Sequence, residues 1–106
     1  MTGTIKVMFD YGAYPIWYRY NDEQIFKNGI PVELSDAMEI EILFDEIEKR
    51  YEALFINNEV EFSYSGFQLE DEKNDFLKLL EKGMQLLESK CKTHFTLIDN
   101  SHIEEL

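Results

Sequence analysis

Cys91, His94 and His102 are the only thiol and imidazole groups in the sequence, and all three fall in its last sixteen positions. A serine or cysteine nucleophile needs a base within hydrogen-bond reach and an oriented partner behind it. These residues sit in no G-x-S-x-G, H-E-x-x-H or related frame. Cys91 falls on the apolar stripe of a predicted helix, where burial raises a thiol's pKa and makes it a small hydrophobe; His94 and His102 read as surface histidines. One cysteine and two histidines make neither a disulfide nor a zinc cluster. The scattered glycines form no phosphate-binding loop, and no EF-hand spacing occurs. Carboxylate pairs abound, but in a chain with 22 acidic and 10 basic side chains no single pair points to glycosidase chemistry. The reading is of a protein that is not an enzyme and takes no cofactor or metal.

Regular spacing appears instead among the acids. Glu41, Asp45, Glu48 and Glu52 follow i, i+4, i+7, i+11, which on a helix makes one stripe about 80–140° from the centre of its apolar face. Like charges at i, i+4 destabilise a helix by a few tenths of a kcal/mol per pair, so the ladder is a cost that binding a cation would offset. A charged run beside a buried stripe is also what the solvated side of any amphipathic helix looks like. Residues 70–91 give an example, mixing Lys78 and Lys82 with Glu81 and Glu88.

The second concentration is aromatic. Phe9, Tyr11, Tyr14, Trp17, Tyr18 and Tyr20 crowd twelve positions around the stretch DYGAYPIW. On a strand over 16–20, Trp17 points away from Tyr18 and Tyr20, so a small sheet cannot bury all of them. Phe9 and Trp17 are the rings expected inside. Tyr11, Tyr14, Tyr18 and Tyr20, beside Asp10, Asp22 and Glu23, have the composition of a protein-binding surface; the alternative is that they only cover a sheet edge.

The elements that must position these residues follow from periodicity. TIKVMF (4–9) reads as a strand with Ile5, Val7 and Phe9 inward. Gly12 suits φ > 0, and Tyr14, preceding Pro15, is pushed toward extended backbone, so the chain turns and resumes as a strand at IWYRY. Residues 21–31 read as loop or irregular hairpin. Ser35 is the expected N-cap of a helix, with Asp36 at its positive end. From there Ile40, Leu43, Phe44, Ile47, Tyr51, Leu54 and Phe55 lie within an arc of about 120°. NNE at 57–59 ends that helix, and VEFSYSGF alternates like one short strand. A second helix spans about Glu70 to Cys91, with Phe76, Leu80, Met84, Leu87 and Cys91 inward and Lys90 and Lys92 at its C-terminal end. Gly83 costs that helix ~1 kcal/mol relative to alanine, so it belongs where the two helices approach closely. THFTLID is a last strand, and SHIEEL a frayed tail. The expected fold is a single α+β domain over 1–106: a small sheet of about three strands covered on one face by two amphipathic helices.

The formal net charge of −12 in 106 residues repels nucleic acid and anionic lipid and attracts basic proteins. No apolar run reaches the length of a membrane span, and the first residues lack a basic segment followed by an apolar one, so the cytoplasm is the expected compartment.

DYGAYPIW, the following NGIPVELS, Arg50-Tyr51, SGF at 65–67, and Phe76 with Gly83 together resemble a family of small bacterial proteins with a D-Y-G/S-x-x-P-[LI]-W motif and an S-G-F between two helices. The resemblance spans about residues 5–98. The chain differs in Ala13, where many relatives carry cysteine, and in NNEVEFSY before the S-G-F. The family is associated with immunity proteins of contact-dependent growth inhibition and related polymorphic toxin systems. The resemblance implies a cytoplasmic, cofactor-free protein that binds a cognate toxin domain and occludes its active site. The expected partner is a basic protein, a nuclease, met through Asp10, Tyr11, Tyr14, Tyr18, Tyr20, Asp22, Glu23, Glu41, Asp45, Glu48 and Glu52. The alternative is an acidic adaptor or regulatory domain that recognises another protein or pairs with itself as a homodimer.

Overall fold

A computed structural model describes residues 2–57, 62–91 and 94–102. Its β1 (Gly3–Val7) is the pivot. It pairs antiparallel with β2 (Ile16–Tyr20) on one side and parallel with β6 (Phe95–Asp99) on the other. β3 (Lys27–Asn28) extends the sheet beyond β2, giving the order β3-β2-β1-β6. The mixed sheet thus has four strands rather than three. The additional strand is a two-residue pairing inside 21–31, too short to leave an alternation in the sequence.

Alternation fixes the two faces. Ile5 and Val7 on β1, Ile16 on β2 and Phe95 on β6 are buried and form one cluster with both helices, α1 (Met38–Glu52) and α2 (Glu70–Cys91). α1 contributes Ile40, Phe44 and Ile47, all inaccessible to solvent. Complete burial of each such side chain contributes roughly 1.5–3 kcal/mol. α2 contributes Phe76, Leu80, Leu87 and Cys91, with Met84 half-buried at the margin. The architecture is the expected α+β layer, both helices on one face of the sheet.

Two glycines sit at close approaches. A Cβ at Gly3 would collide with the Arg19 carbonyl oxygen on the neighbouring strand. A Cβ at Gly83 would sit 2.9 Å from Phe44 Cζ and 3.1 Å from Ile47 Cδ1, so Gly83 is where α2 lies against α1, as its cost to the helix requires.

Several local expectations are corrected. Ser35 does not cap α1. It closes a short 3-10 turn at Val32–Leu34, its hydroxyl donating to the Val32 carbonyl at 2.7 Å, and α1 starts after Ala37 without a side-chain cap. α1 also stops earlier, at Glu52. Leu54 remains buried, but its carbonyl accepts from the Ser65 hydroxyl at 2.7 Å and the Gly66 amide at 3.0 Å, and Phe55 opens a strand. That strand, β4 (Phe55–Asn57), pairs antiparallel with β5 (Phe62–Tyr64) as a separate two-stranded ribbon. Hydrophobic spacing alone cannot distinguish a further helical turn from a turn and strand that keep the same side chains covered. Most of the NNE break, Val60 and Glu61 of the expected short strand, Lys92 and the tail from 103 lie outside the described residues.

Trp17 is not interior either. It stands opposite Lys6 on the sheet face away from the helices, half-exposed, with its indole N–H donating to the Met8 carbonyl at 3.0 Å. Lys6 and Arg19 lie over the Phe26 ring on the same face. Tyr18 and Tyr20 consequently share the helix-facing side with Ile16 and pack, half-buried, at the edge of the core.

Candidate partner-binding surface

DYGAYP is the connection between β1 and β2, and its conformation is set by hydrogen bonds at both ends. The Ala13 amide donates to the Asp10 carbonyl, closing a turn in which Gly12 takes φ +84°. The Met8 amide donates to the Pro15 carbonyl at 3.0 Å and zips the base. Across the loop, the Asn28 side chain holds the Tyr14 backbone twice, its carbonyl oxygen accepting from the Tyr14 amide at 2.8 Å and its amide donating to the Tyr14 carbonyl at 2.6 Å. Sequence reasoning missed Asn28, which falls there only within the loop or irregular hairpin of 21–31.

The loop so fixed lies along the acidic side of α1. The Gly12 amide donates to Glu52 Oε2 at 2.8 Å. The Tyr14 hydroxyl donates to the Glu41 carbonyl at 3.5 Å, with the Asp45 carboxylate near enough to act on it. Burial first, then the charge and hydrogen bond of Asp45, then Glu41 and Glu48, hold the Tyr14 hydroxyl far above its ordinary pKa of 10.0. The two concentrations seen in the sequence therefore meet: Tyr14 and Gly12 border the stripe Glu41, Asp45, Glu48 and Glu52.

The stripe carries unbalanced charge. The described residues hold three ion pairs, Glu23 with Lys27, Glu46 with Arg50 and Glu39 with Lys90, and none includes a member of the stripe. Burial first, then Glu52 and Asp45, raise the Glu48 carboxyl above its ordinary 4.5. The members differ in role. Glu41 and Asp45 are exposed, whereas Glu48 and Glu52 are half-buried. Glu52 sits in the last turn of α1, where the helix dipole disfavours a carboxylate, and its hydrogen bond to Gly12 explains its presence structurally.

Tyr11 extends the surface in another direction. Its ring packs on Phe55 at 5.0 Å and Phe62 at 4.8 Å. Phe55 in turn meets Tyr64 and Tyr51, Tyr51 stacks on Phe9 at 4.7 Å, and Phe9 reaches the buried Phe76. A continuous run of rings thus leads from the core to the β4-β5 ribbon, where Phe62 and Tyr64 are 56% and 43% exposed. The alternation of VEFSYSGF signalled that Phe62 and Tyr64 share a face; it could not signal that the face meets Tyr11. Asp10 is exposed at the start of the loop.

The remaining candidates are engaged elsewhere. Tyr20 donates to Glu33 at 2.9 Å, a bond that, with burial, raises its hydroxyl to about 12. Lys27 pairs with Glu23 at 3.0 Å and lies over the Tyr18 and Tyr20 rings. Tyr18, Tyr20, Asp22 and Glu23 share no hydrogen bond, ion pair or ring contact with the stripe among the described residues.

Of the groups considered for chemistry, Cys91 is buried and its thiol is pushed up to about 11 by that burial, which makes it a poor nucleophile. His94 and His102 are exposed. Among the described residues no three histidine, cysteine or carboxylate side chains group to hold a metal ion, and no helix is long and apolar enough to cross a membrane. No protein-family model matches the chain, and no curated protein matches it.

Proposed function

We propose that this chain is an immunity protein that binds a basic toxin domain, a nuclease, in the cytoplasm and occludes its active site without doing chemistry itself. The observation that carries this reading is the junction of the DYGAYP loop with the α1 carboxylates, which form no ion pair among the described residues. Tyr14 stands beside Glu41, Asp45 and Glu48, and Tyr11 of the same loop packs on Phe55 and Phe62, giving aromatic contact area and negative charge on one face of the loop and helix. Such pairing suits fast capture and slow release. Complementary charge raises association from about 10⁵–10⁶ to 10⁸–10⁹ M⁻¹s⁻¹, and desolvated tyrosines lower the dissociation rate. A nuclease cleft that attracts phosphate attracts carboxylates by the same field.

The test is co-expression with the product of the adjacent gene, followed by pull-down and a survival assay. The reading predicts a stable complex and protection of cells from a toxic domain encoded there. A neighbouring product that is neither toxic nor retained by this chain contradicts it.

A further inference from the structure

β6 closes one side of the sheet: among the described residues it pairs with β1 alone. The His94 carbonyl accepts from the Gly3 amide at 3.0 Å, and the Asn100 amide donates to the Val7 carbonyl at 2.9 Å. Alternate residues of a strand face a given neighbour, so positions 94, 96, 98 and 100 serve β1 while Phe95, Leu97 and Asp99 direct their amides and carbonyls away from it. A cleft of about 480 Å³ follows that edge, between Phe95, Leu97 and Asp99 of β6 and Met84, Glu88 and Cys91 of α2. We propose that a segment of the protein partner adds to this edge as an antiparallel strand, seating apolar side chains in the cleft and a lysine or arginine beside Glu88 and Asp99; the inference rests on reading the chain as a binder of a basic protein.

The occupant follows from backbone, floor and rim. A sheet edge offers amides and carbonyls to any extended chain, and natural edges are commonly blunted by lysine or proline; Phe95–Asp99 contains neither. Side chains of an added strand alternate, so every second one falls on the helix side, over the cleft. The floor is apolar, from buried Cys91 and Phe95 and half-buried Met84 and Leu97, whereas Glu88 and Asp99 are exposed. Both carboxylates line the cleft themselves, and neither enters an ion pair among the described residues. Asp99 is already oriented, its Oδ1 accepting from the Ser101 amide at 2.9 Å and the Ser101 hydroxyl at 2.6 Å. A second copy adding its own β6 would set acid against acid, in chains that each carry a net charge of −12. A neutral strand would leave both carboxylates without a counter-charge.

The experiment uses the full chain and the blocked peptide acetyl-Lys-Thr-Val-Thr-Val-amide, followed by NMR; added antiparallel, its lysine falls opposite Asp99 and its valines opposite Leu97 and Phe95. The inference expects saturable shifts and slower exchange at the Phe95, Leu97 and Asp99 amides, with millimolar affinity. Glu88→Gln should weaken binding about two- to fivefold, and should cost nothing with a peptide whose lysine is replaced by glutamine. N-methylation of both valines removes the amides that donate to β6 and should abolish the shifts; a methylated peptide that binds as well overturns strand addition. Saturable shifts confined to Glu41, Asp45 and Glu48 overturn the edge site but leave the basic-partner reading standing. A concentration-dependent dimer that the peptide does not disturb assigns the edge to a second copy and overturns the inference. No saturable shift up to about 10 mM overturns it as well, and the survival assay then judges the broader reading separately.

Discussion

The backbone amide of Gly12 donates to the carboxylate of Glu52 at 2.8 Å, joining the first loop of the chain to the last turn of its first helix across 40 residues. This bond makes the aromatic loop and the acidic helix a single surface. Removing the carboxylate should loosen that join without unfolding the protein. Glu52→Ala is expected to lose about 0.5–1 kcal/mol, the bond's contribution being reduced by relief of a poorly placed charge at the helix end. Amide exchange should accelerate at Gly12 more than in β1, and equal acceleration at both would show that the bond does not hold the loop.

Gly83 is set against the ring of Phe44, which is fully buried. Gly83→Ala gains ~1 kcal/mol of helix propensity but overpacks a filled contact, a cost of about 1–3 kcal/mol, so chemical denaturation should show a net loss. Phe44→Leu in the same chain should turn the alanine from unfavourable to neutral or favourable. Additive losses in the double variant would mean that the two residues do not meet.

Glu48 supplies a pH signature. Its folded-state pKa is raised, so the native protein holds this proton more tightly than the unfolded chain. Stability from this group is therefore greatest at low pH and falls as pH rises through the folded pKa, leaving a penalty at neutral pH. Glu48→Gln should stabilise the protein at pH 7 by roughly 0.5 kcal/mol, for two like-charge neighbours, and the gain should vanish below about pH 4.5. A gain that persists in acid would assign it to something other than charge.

Tyr14 works at the other end of the scale. Its hydroxyl stays protonated in the folded state well above 10.0, so the native form binds more protons than the unfolded chain once pH passes that value. Stability should decline as pH rises above 10, with Tyr20 contributing through its bond to Glu33. Tyr14→Phe should flatten the decline, and absorbance titration of Asp45→Asn should show the Tyr14 hydroxyl ionising earlier. An unchanged alkaline slope in Tyr14→Phe would deny the hydroxyl this environment.

What the sequence made legible was whatever periodicity encodes. Ile40, Phe44 and Ile47, and Phe76, Leu80 and Leu87, announce two helices with one buried side each, and Gly83 announces their contact. Trp17 was misplaced because alternation says which residues share a face and not which face the helices cover; Lys6 opposite it was the available clue. Leu54 and Phe55 continue the helical spacing while leaving the helix: Leu54 stays buried in the turn after α1, and Phe55 opens the ribbon with its ring against Tyr51 and Tyr64. The acidic stripe was visible from its spacing, but its junction with Gly12 and Tyr14 depends on how a loop folds back over a helix, and no local pattern records that.

The most direct measurement is the association rate between this chain and the product of the adjacent gene, the proposed toxin domain, followed by stopped flow at low and high salt. The account predicts a rate that falls steeply with added salt, and at least about tenfold at low salt in Glu41→Lys/Glu48→Lys, with the salt dependence largely lost. A double variant that associates as fast as the parent at every ionic strength would contradict it.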